Sequence, residues 1–240
     1  MNKIFVNTLS FILIFAWMTF NIQAQQGQAK TKTKAPAQTL KANILTIGDS
    51  NGAHADGWVT QLRKLLPAAT IINQSISGNT IGFDNLGHES LNTLKNIDRY
   101  IKCASDSLNG ETFDYVIVCL GTNDCKAEFA NRQNDVIQNM NTLIAKIENH
   151  PAFKVKKPHF IMVSPPPYGD DNMLIEKYKG GDKRVSALIE PFHQIATKHH
   201  WKFINIYKML RPDFNKLTPD GVHMEAEGQM RIARRIVSRL

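Results

Sequence analysis

The sequence predicts a three-layer α/β/α domain built on a five-stranded parallel sheet. Three observations carry that expectation. Five short runs are rich in Val, Ile and Phe, stretches of helical spacing separate them, and one run is apolar without a break, as a strand buried on both faces requires. At 240 residues, 42% hydrophobic and 21% charged, the chain holds enough apolar material for one ordinary core. Neither disorder nor a disulfide-built scaffold fits that composition.

Residues 1–24 read as a secretory signal. Lys3 supplies the basic start, residues 9–20 are the apolar run, and Ala24 offers a small residue for cleavage. The run falls short of the ~20 residues a spanning helix needs, and no comparable run follows. The mature chain is therefore expected to be exported, periplasmic or extracellular, with no membrane span; an uncleaved N-terminal anchor is the alternative. Residues 25–41 lack acids, carry Lys30, Lys32 and Lys34, and read as a flexible basic linker. The folded domain is expected over 42–240.

Within it the pattern is regular. NILTI (43–47) is the first strand, and residues 58–66 carry apolar groups at helical spacing. TIINQ (70–74) follows, then a weaker helical stretch over 86–103 with Leu91, Leu94, Ile97 and Ile101 on one face. DYVIVCL (114–120) is the continuous run, and Val136, Met140, Leu143, Ile144 and Ile147 form the next helical stripe. HFIMVS (159–164) stops at three prolines, residues 185–198 are amphipathic, KFINI (202–206) is the fifth strand, and 229–240 closes the chain as a helix. Right-handed crossovers then place helices on both sides of the sheet.

The formal charge of +8 suggests an anionic partner, but its distribution argues otherwise. Lys3, Lys30, Lys32 and Lys34 precede position 41, and all 21 acids lie beyond residue 40, so half of the excess belongs to signal and linker. Arg231, Arg234, Arg235 and Arg239 line the polar side of the last helix, opposite Ile232, Ile236 and Leu240. No basic stripe interleaved with aromatics remains, so nucleic acid is not an expected partner. The three cysteines, Cys103, Cys119 and Cys125, cannot pair fully and form no CxxC; Cys119 reads as a buried core residue, and a Cys103–Cys125 bridge stays open.

In an open parallel sheet, functional groups gather in loops beyond the carboxyl ends of the strands. The first such loop begins Gly48-Asp49-Ser50-Asn51, where Ser50 reads either as a nucleophile or as a helix cap. The second contains Ser75-Ile76-Ser77-Gly78-Asn79-Thr80, whose Gly78 can bring a backbone N–H close to a ligand or simply form a turn. The third is Gly121-Thr122-Asn123-Asp124; the Asn123 carboxamide there suits a developing negative oxygen, or another cap. The fifth holds Asp220-Gly221-Val222-His223, and a spacing of three lets a carboxylate reach and orient an imidazole. A serine hydroxyl needs such a base to become nucleophilic. No P-loop or GxGxxG follows the first strand, and His223-Met224-Glu225-Ala226-Glu227 is not HExxH.

Together, Gly48-Asp49-Ser50, Gly78, Gly121-Thr122-Asn123-Asp124 and Asp220-x-x-His223 resemble the blocks of the SGNH (GDSL-type) hydrolase family, in the family's order, from Asn43 to Leu240. Residues 120–129, 163–167 and 180–183 are similar to its small arylesterase/acyltransferase branch, and residues 75–80 also to its thioesterase/lysophospholipase branch. The resemblance implies a flavodoxin-like fold and no cofactor or metal. It implies Ser50 as nucleophile, His223 as general base and then acid, Asp220 as its orienting carboxylate, and an oxyanion hole from the N–H groups of Ser50 and Gly78 with the Asn123 side chain. Asp49 and Asp124 are expected to steady their loops as acceptors. Where the family has leucine and a small hydroxyl residue after the serine, this chain has Asn51-Gly52, a change expected to alter the pocket wall.

The implied activity is that of an exported serine esterase acting on short-chain acyl esters, with O-acetylated carbohydrate the expected substrate. A lysophospholipase or thioesterase with the same machinery, and a catalytically silent glycan-binding protein, are the alternatives. Assembly into oligomers is open. His54, His88, His193, His199 and His200 are read as surface or core residues, and Tyr168 with the 168–182 loop as pocket lining or a lid.

Overall fold

The computed structural model describes residues 39–240. The predicted signal and all of the predicted linker before Thr39 lie outside the described residues. Five strands form one sheet: β1 (Asn43–Gly48), β2 (Thr70–Asn73), β3 (Tyr115–Cys119), β4 (His159–Val163) and β5 (Lys202–Ile204). All neighbours pair in parallel, in the order β2-β1-β3-β4-β5. This is a flavodoxin-like order, in keeping with the fold the family resemblance implies, and it puts the reversal of strand order between β1 and β3.

Seven helices complete the described chain: α1 (Ser50–Ala53), α2 (Trp58–Leu65), α3 (Thr93–Asp106), α4 (Gln133–Glu148), α5 (Gly181–Lys198), α6 (Tyr207–Leu210) and α7 (Ala226–Val237). Short 3-10 turns are interspersed. The continuous apolar strands hide a period of two, because successive side chains point to opposite faces. Leu45, Ile47, Val116, Val118, Phe160 and Met162 pack with α3, α4 and α5. Ile44, Ile117, Cys119, Ile161, Val163 and Ile204 pack with α2, α6 and α7. Each such side chain, taken fully from water, contributes about 1.5–3 kcal/mol before entropy is charged against it.

The helical stretch expected over 86–103 starts later. Asn85–Gly87 and Glu89–Leu91 are 3-10 turns, and Leu86 takes φ 55°. Asn92 then caps α3, its side chain accepting from the Lys95 N–H. That cap and the break at Gly87 outweigh the apolar spacing of Leu91 and Leu94. The fifth strand ends at Ile204, because Ser164 Oγ accepts the next free N–H groups, those of Ile206 and Tyr207, at 3.0 and 3.2 Å. All three cysteines are free. Among the described residues, no helix is long and apolar enough to cross a membrane.

Candidate active site

Ser50 opens the single turn of α1 directly after β1, and Asp49 caps that turn by accepting the Asn51 N–H at 3.0 Å. Burial pushes the Asp49 carboxyl above its ordinary range, against the hydrogen bonds that favour its charge. Ser50 is 7% exposed. His223 reaches it from the far end of the chain: Nε2 lies 3.0 Å from Ser50 Oγ. On the other side of the ring, Nδ1 lies 2.7 Å from Asp220 Oδ2.

Local chemistry builds the turn that carries this pair. Asp220 Oδ1 accepts the backbone N–H of Val222 at 2.9 Å and of His223 at 2.7 Å, while Thr218 Oγ1 donates to the His223 carbonyl at 2.8 Å. Gly221, at φ 77°, takes the left-handed conformation between them, where a Cβ would also fall 2.5 Å from Leu174. Partial burial would raise the Asp220 carboxyl, but the hydrogen bonds from the His223 ring and the two N–H groups outweigh it and hold the group below its ordinary range.

The second and third loops meet through Asn79. Asn123 Nδ2 donates to the Asn79 carbonyl at 2.9 Å, and Asn79 Nδ2 donates to the Gly48 carbonyl at 3.2 Å. Gly78 sits at φ +90°, with room for a Cβ only 3.2 Å from Leu91. Among the described residues the backbone N–H groups of Ser50 and Gly78 have no acceptor, so both stay available to an incoming oxygen. Asp124 is fully buried and accepts the Ile81 N–H with both oxygens, at 2.9 and 3.1 Å. Burial raises its carboxyl to about 7, with the Ile81 N–H opposing and Asp49 adding to the rise. The structure thus places Ser50, His223 and Asp220 in one hydrogen-bonded row, and ties the loops of Gly78 and Asn123 to the end of β1, two residues before Ser50.

Two residues beside the site, His54 and Lys126, were not legible in the sequence, and two expected at the pocket, Asn51 and Tyr168, lie elsewhere. His54 is exposed but stacks on His223, ring centroids 5.0 Å apart and planes at 20°. A cavity of about 370 Å³ beside it is lined by His54, Ala55, Asp56, Met224, Glu225 and Ala226. Lys126 is 3% exposed; its Nζ donates to Asn85 Oδ1 at 2.7 Å, and Asn85 Nδ2 donates in turn to the Gly78 carbonyl at 2.6 Å. Burial holds that ammonium below the usual lysine range. Asn51 does not form a wall of the site as expected: it is 1% exposed and accepts from Gln229 Nε2 at 2.8 Å. Tyr168 is fully buried, with its hydroxyl donating to the Thr122 carbonyl at 2.6 Å, so it pins two loops together and neither lines a pocket nor swings as a lid. Among the described residues, no group of three His, Cys, Asp or Glu side chains is placed to hold a metal ion.

The model of the GDSL-like lipase/acylhydrolase family matches residues 45–231, which span the sheet and all of these loops. The chain belongs to that family. It is a carboxylic ester hydrolase of the GDSL type. Among solved structures, Est24, a carbohydrate acetylesterase from Sinorhizobium meliloti, is similar in fold, with 20% identity and a TM-score of 0.65 over 82% of this chain and 97% of that one. A carbohydrate acetylesterase family member from the same organism gives 21% identity and 0.66, over 82% of this hydrolase and 96% of its own chain. The M. smegmatis aryl esterase gives 20% identity and 0.63, over 82% and 97%. Among curated proteins none matches the hydrolase by sequence.

Proposed function

We propose that this hydrolase is an exported serine esterase that removes short acyl groups, O-acetyl groups on carbohydrate above all, through an acyl-enzyme. The observation that carries the reading is the row Ser50 Oγ–His223–Asp220, at 3.0 and 2.7 Å. His223 Nε2 takes the Ser50 proton as Oγ adds to the ester carbonyl. The new oxyanion accepts hydrogen bonds from the N–H groups of Ser50 and Gly78 and from Asn123 Nδ2, one of which is worth about 3 kcal/mol. The imidazolium then protonates the departing alkoxide, the alcohol leaves, and the acyl group stays on Ser50. Water, deprotonated by His223, adds to the acyl carbonyl in the same hole. Collapse releases the carboxylic acid and returns the proton to Ser50. Throughout, Asp220 keeps the Nδ1 proton in place.

Carbohydrate is the favoured acyl acceptor because the cavity lined by His54, whose ring stacks on His223, also carries Asp56 and Glu225, groups that hydrogen-bond sugar hydroxyls. The names of the two S. meliloti proteins of like fold point the same way. Export rests on residues 1–24. The test is hydrolysis of p-nitrophenyl acetate, butyrate and octanoate, and of acetylated xylan or chitin fragments, by the mature protein and by Ser50→Ala. Loss of turnover in the variant, with acetate preferred, supports the reading. Equal rates in the two proteins would sink it, and a steep preference for octanoate would replace the carbohydrate acceptor with a lipid.

A further inference from the structure

Ser50 and His223 are 173 positions apart, so their 3.0 Å approach depends on how the first loop meets the fifth. The residue after each of them enters one buried polar knot. Gln229, on the first turns of α7, donates from Nε2 to Asn51 Oδ1 at 2.8 Å and to the Met224 carbonyl at 3.2 Å. The Met224 N–H lies 3.5 Å from the same Asn51 oxygen. Gln229 Oε1 accepts the Trp58 N–H, at the start of α2, at 3.1 Å. Both carboxamides are 1% exposed. The knot therefore grips both sides of the Met224 peptide group's neighbourhood and joins it to the residue beside the nucleophile.

We propose that the Asn51–Gln229 pair is a positioning device that sets the distance between His223 and Ser50. The inference rests on the reading of those two residues as base and nucleophile. Apolar side chains would fill the same space, but they tolerate sliding, whereas hydrogen bonds fix direction as well as distance. Asn51 Nδ2 has no protein acceptor among the described residues, a burial cost that an apolar residue would not carry. Stability alone therefore does not explain the choice. A shift of the Met224 backbone moves the adjoining His223, and misplacement of a base by about 1 Å is enough to cost ~100-fold in rate. His54 also touches the His223 ring, but it is exposed and only stacks, so it does not itself fix the ring's position within its plane.

The experiment compares Gln229→Leu, Asn51→Leu and the double variant with the wild type and with Ser50→Ala. It measures kcat and KM on p-nitrophenyl acetate, the rate of phosphonylation by a fluorophosphonate, and Tm. Each single variant is expected to lose about 10–100-fold in kcat, with KM within about twofold. In the double variant the Trp58 N–H and the Met224 carbonyl lose their side-chain partners, so Tm stays below the wild-type value, while kcat and phosphonylation of the folded protein stay at least about tenfold down. A double variant with wild-type kcat overturns the proposal. So does one that fails to fold, or a kcat loss no larger than the unfolded fraction, since either makes the pair purely structural. If Ser50→Ala keeps its rate, the underlying reading falls instead. If Ser50→Ala is dead and the double variant is fully active, only this inference falls.

Discussion

One carboxylate does two tasks in the His223 turn: Asp220 Oδ2 meets the His223 ring at 2.7 Å, and Asp220 Oδ1 holds the His223 backbone N–H at 2.7 Å. Orientation of the ring and shape of the loop are thus inseparable. The depressed pKa of Asp220 means that its stabilising effect is complete above the ordinary carboxylate value and is lost only as pH falls through the lower folded value.

Substitution at Asp220 separates the two tasks. Asp220→Asn keeps an oxygen for the backbone and is expected to lower kcat by about 10³–10⁴-fold, with KM little changed. Asp220→Ala is expected to lose activity and also about 1 kcal/mol of stability, the low end of the range for abandoned N–H groups because the side chain is half exposed. Steady-state kinetics and urea unfolding of both variants check this. Equal stability losses in the two would contradict the division.

Gly78→Ala puts a Cβ at φ +90° and 3.2 Å from Leu91. The strain is about 1–3 kcal/mol, and its relief rotates the N–H assigned to the oxyanion. The expected outcome is a kcat loss of about 10²-fold, comparable to removing one donor, accompanied by a lower Tm. A variant with unchanged kcat removes Gly78 from the oxyanion hole.

Asp124 predicts a pH effect on stability. Its folded pKa of about 7 stands above the unfolded value, so the protonated form favours the fold. That contribution is full below about pH 4 and is lost as pH rises toward 7. Asp124→Asn is expected to flatten the Tm profile between those values, with a residual slope from Asp49, whose carboxyl is also raised by burial. Parallel profiles for wild type and variant would contradict the assignment.

Lys126→Met removes the buried ammonium that anchors Asn85, and with it the Gly78 loop. A neutral acetate ester is expected to show kcat about tenfold lower, a loss of ~1.4 kcal/mol, with KM unchanged. Tm is expected to move little, because the lost hydrogen bond is offset by the removal of a buried charge. Affinity for a boronate that forms the tetrahedral adduct should fall by the same factor as kcat. An unchanged boronate affinity would limit Lys126 to a structural role.

Much of the site is legible in the chain because its chemistry is local. Asp220 and His223 are three residues apart, so one turn brings them together whatever surrounds it. Gly48-Asp49-Ser50 and Gly121-Thr122-Asn123-Asp124 each sit at the end of an apolar run, and a parallel sheet collects such ends on one edge. The start of α3 was not legible to helical periodicity, since Asn92 stops the helix by a cap that apolar spacing does not register.

By itself, the sequence determines the strands, their burial on both faces, and the loop blocks that identify the family, since all of these follow from short-range pattern. Only the tertiary structure decides that His54 lies on His223, that Lys126 reaches Asn85, that Tyr168 is a buried pin, and that Asn51 faces Gln229 and not the pocket. Those contacts join residues 41 to 178 positions apart. No local pattern encodes such pairs; they exist because the sheet stacks distant loops on one edge and excludes water from between them.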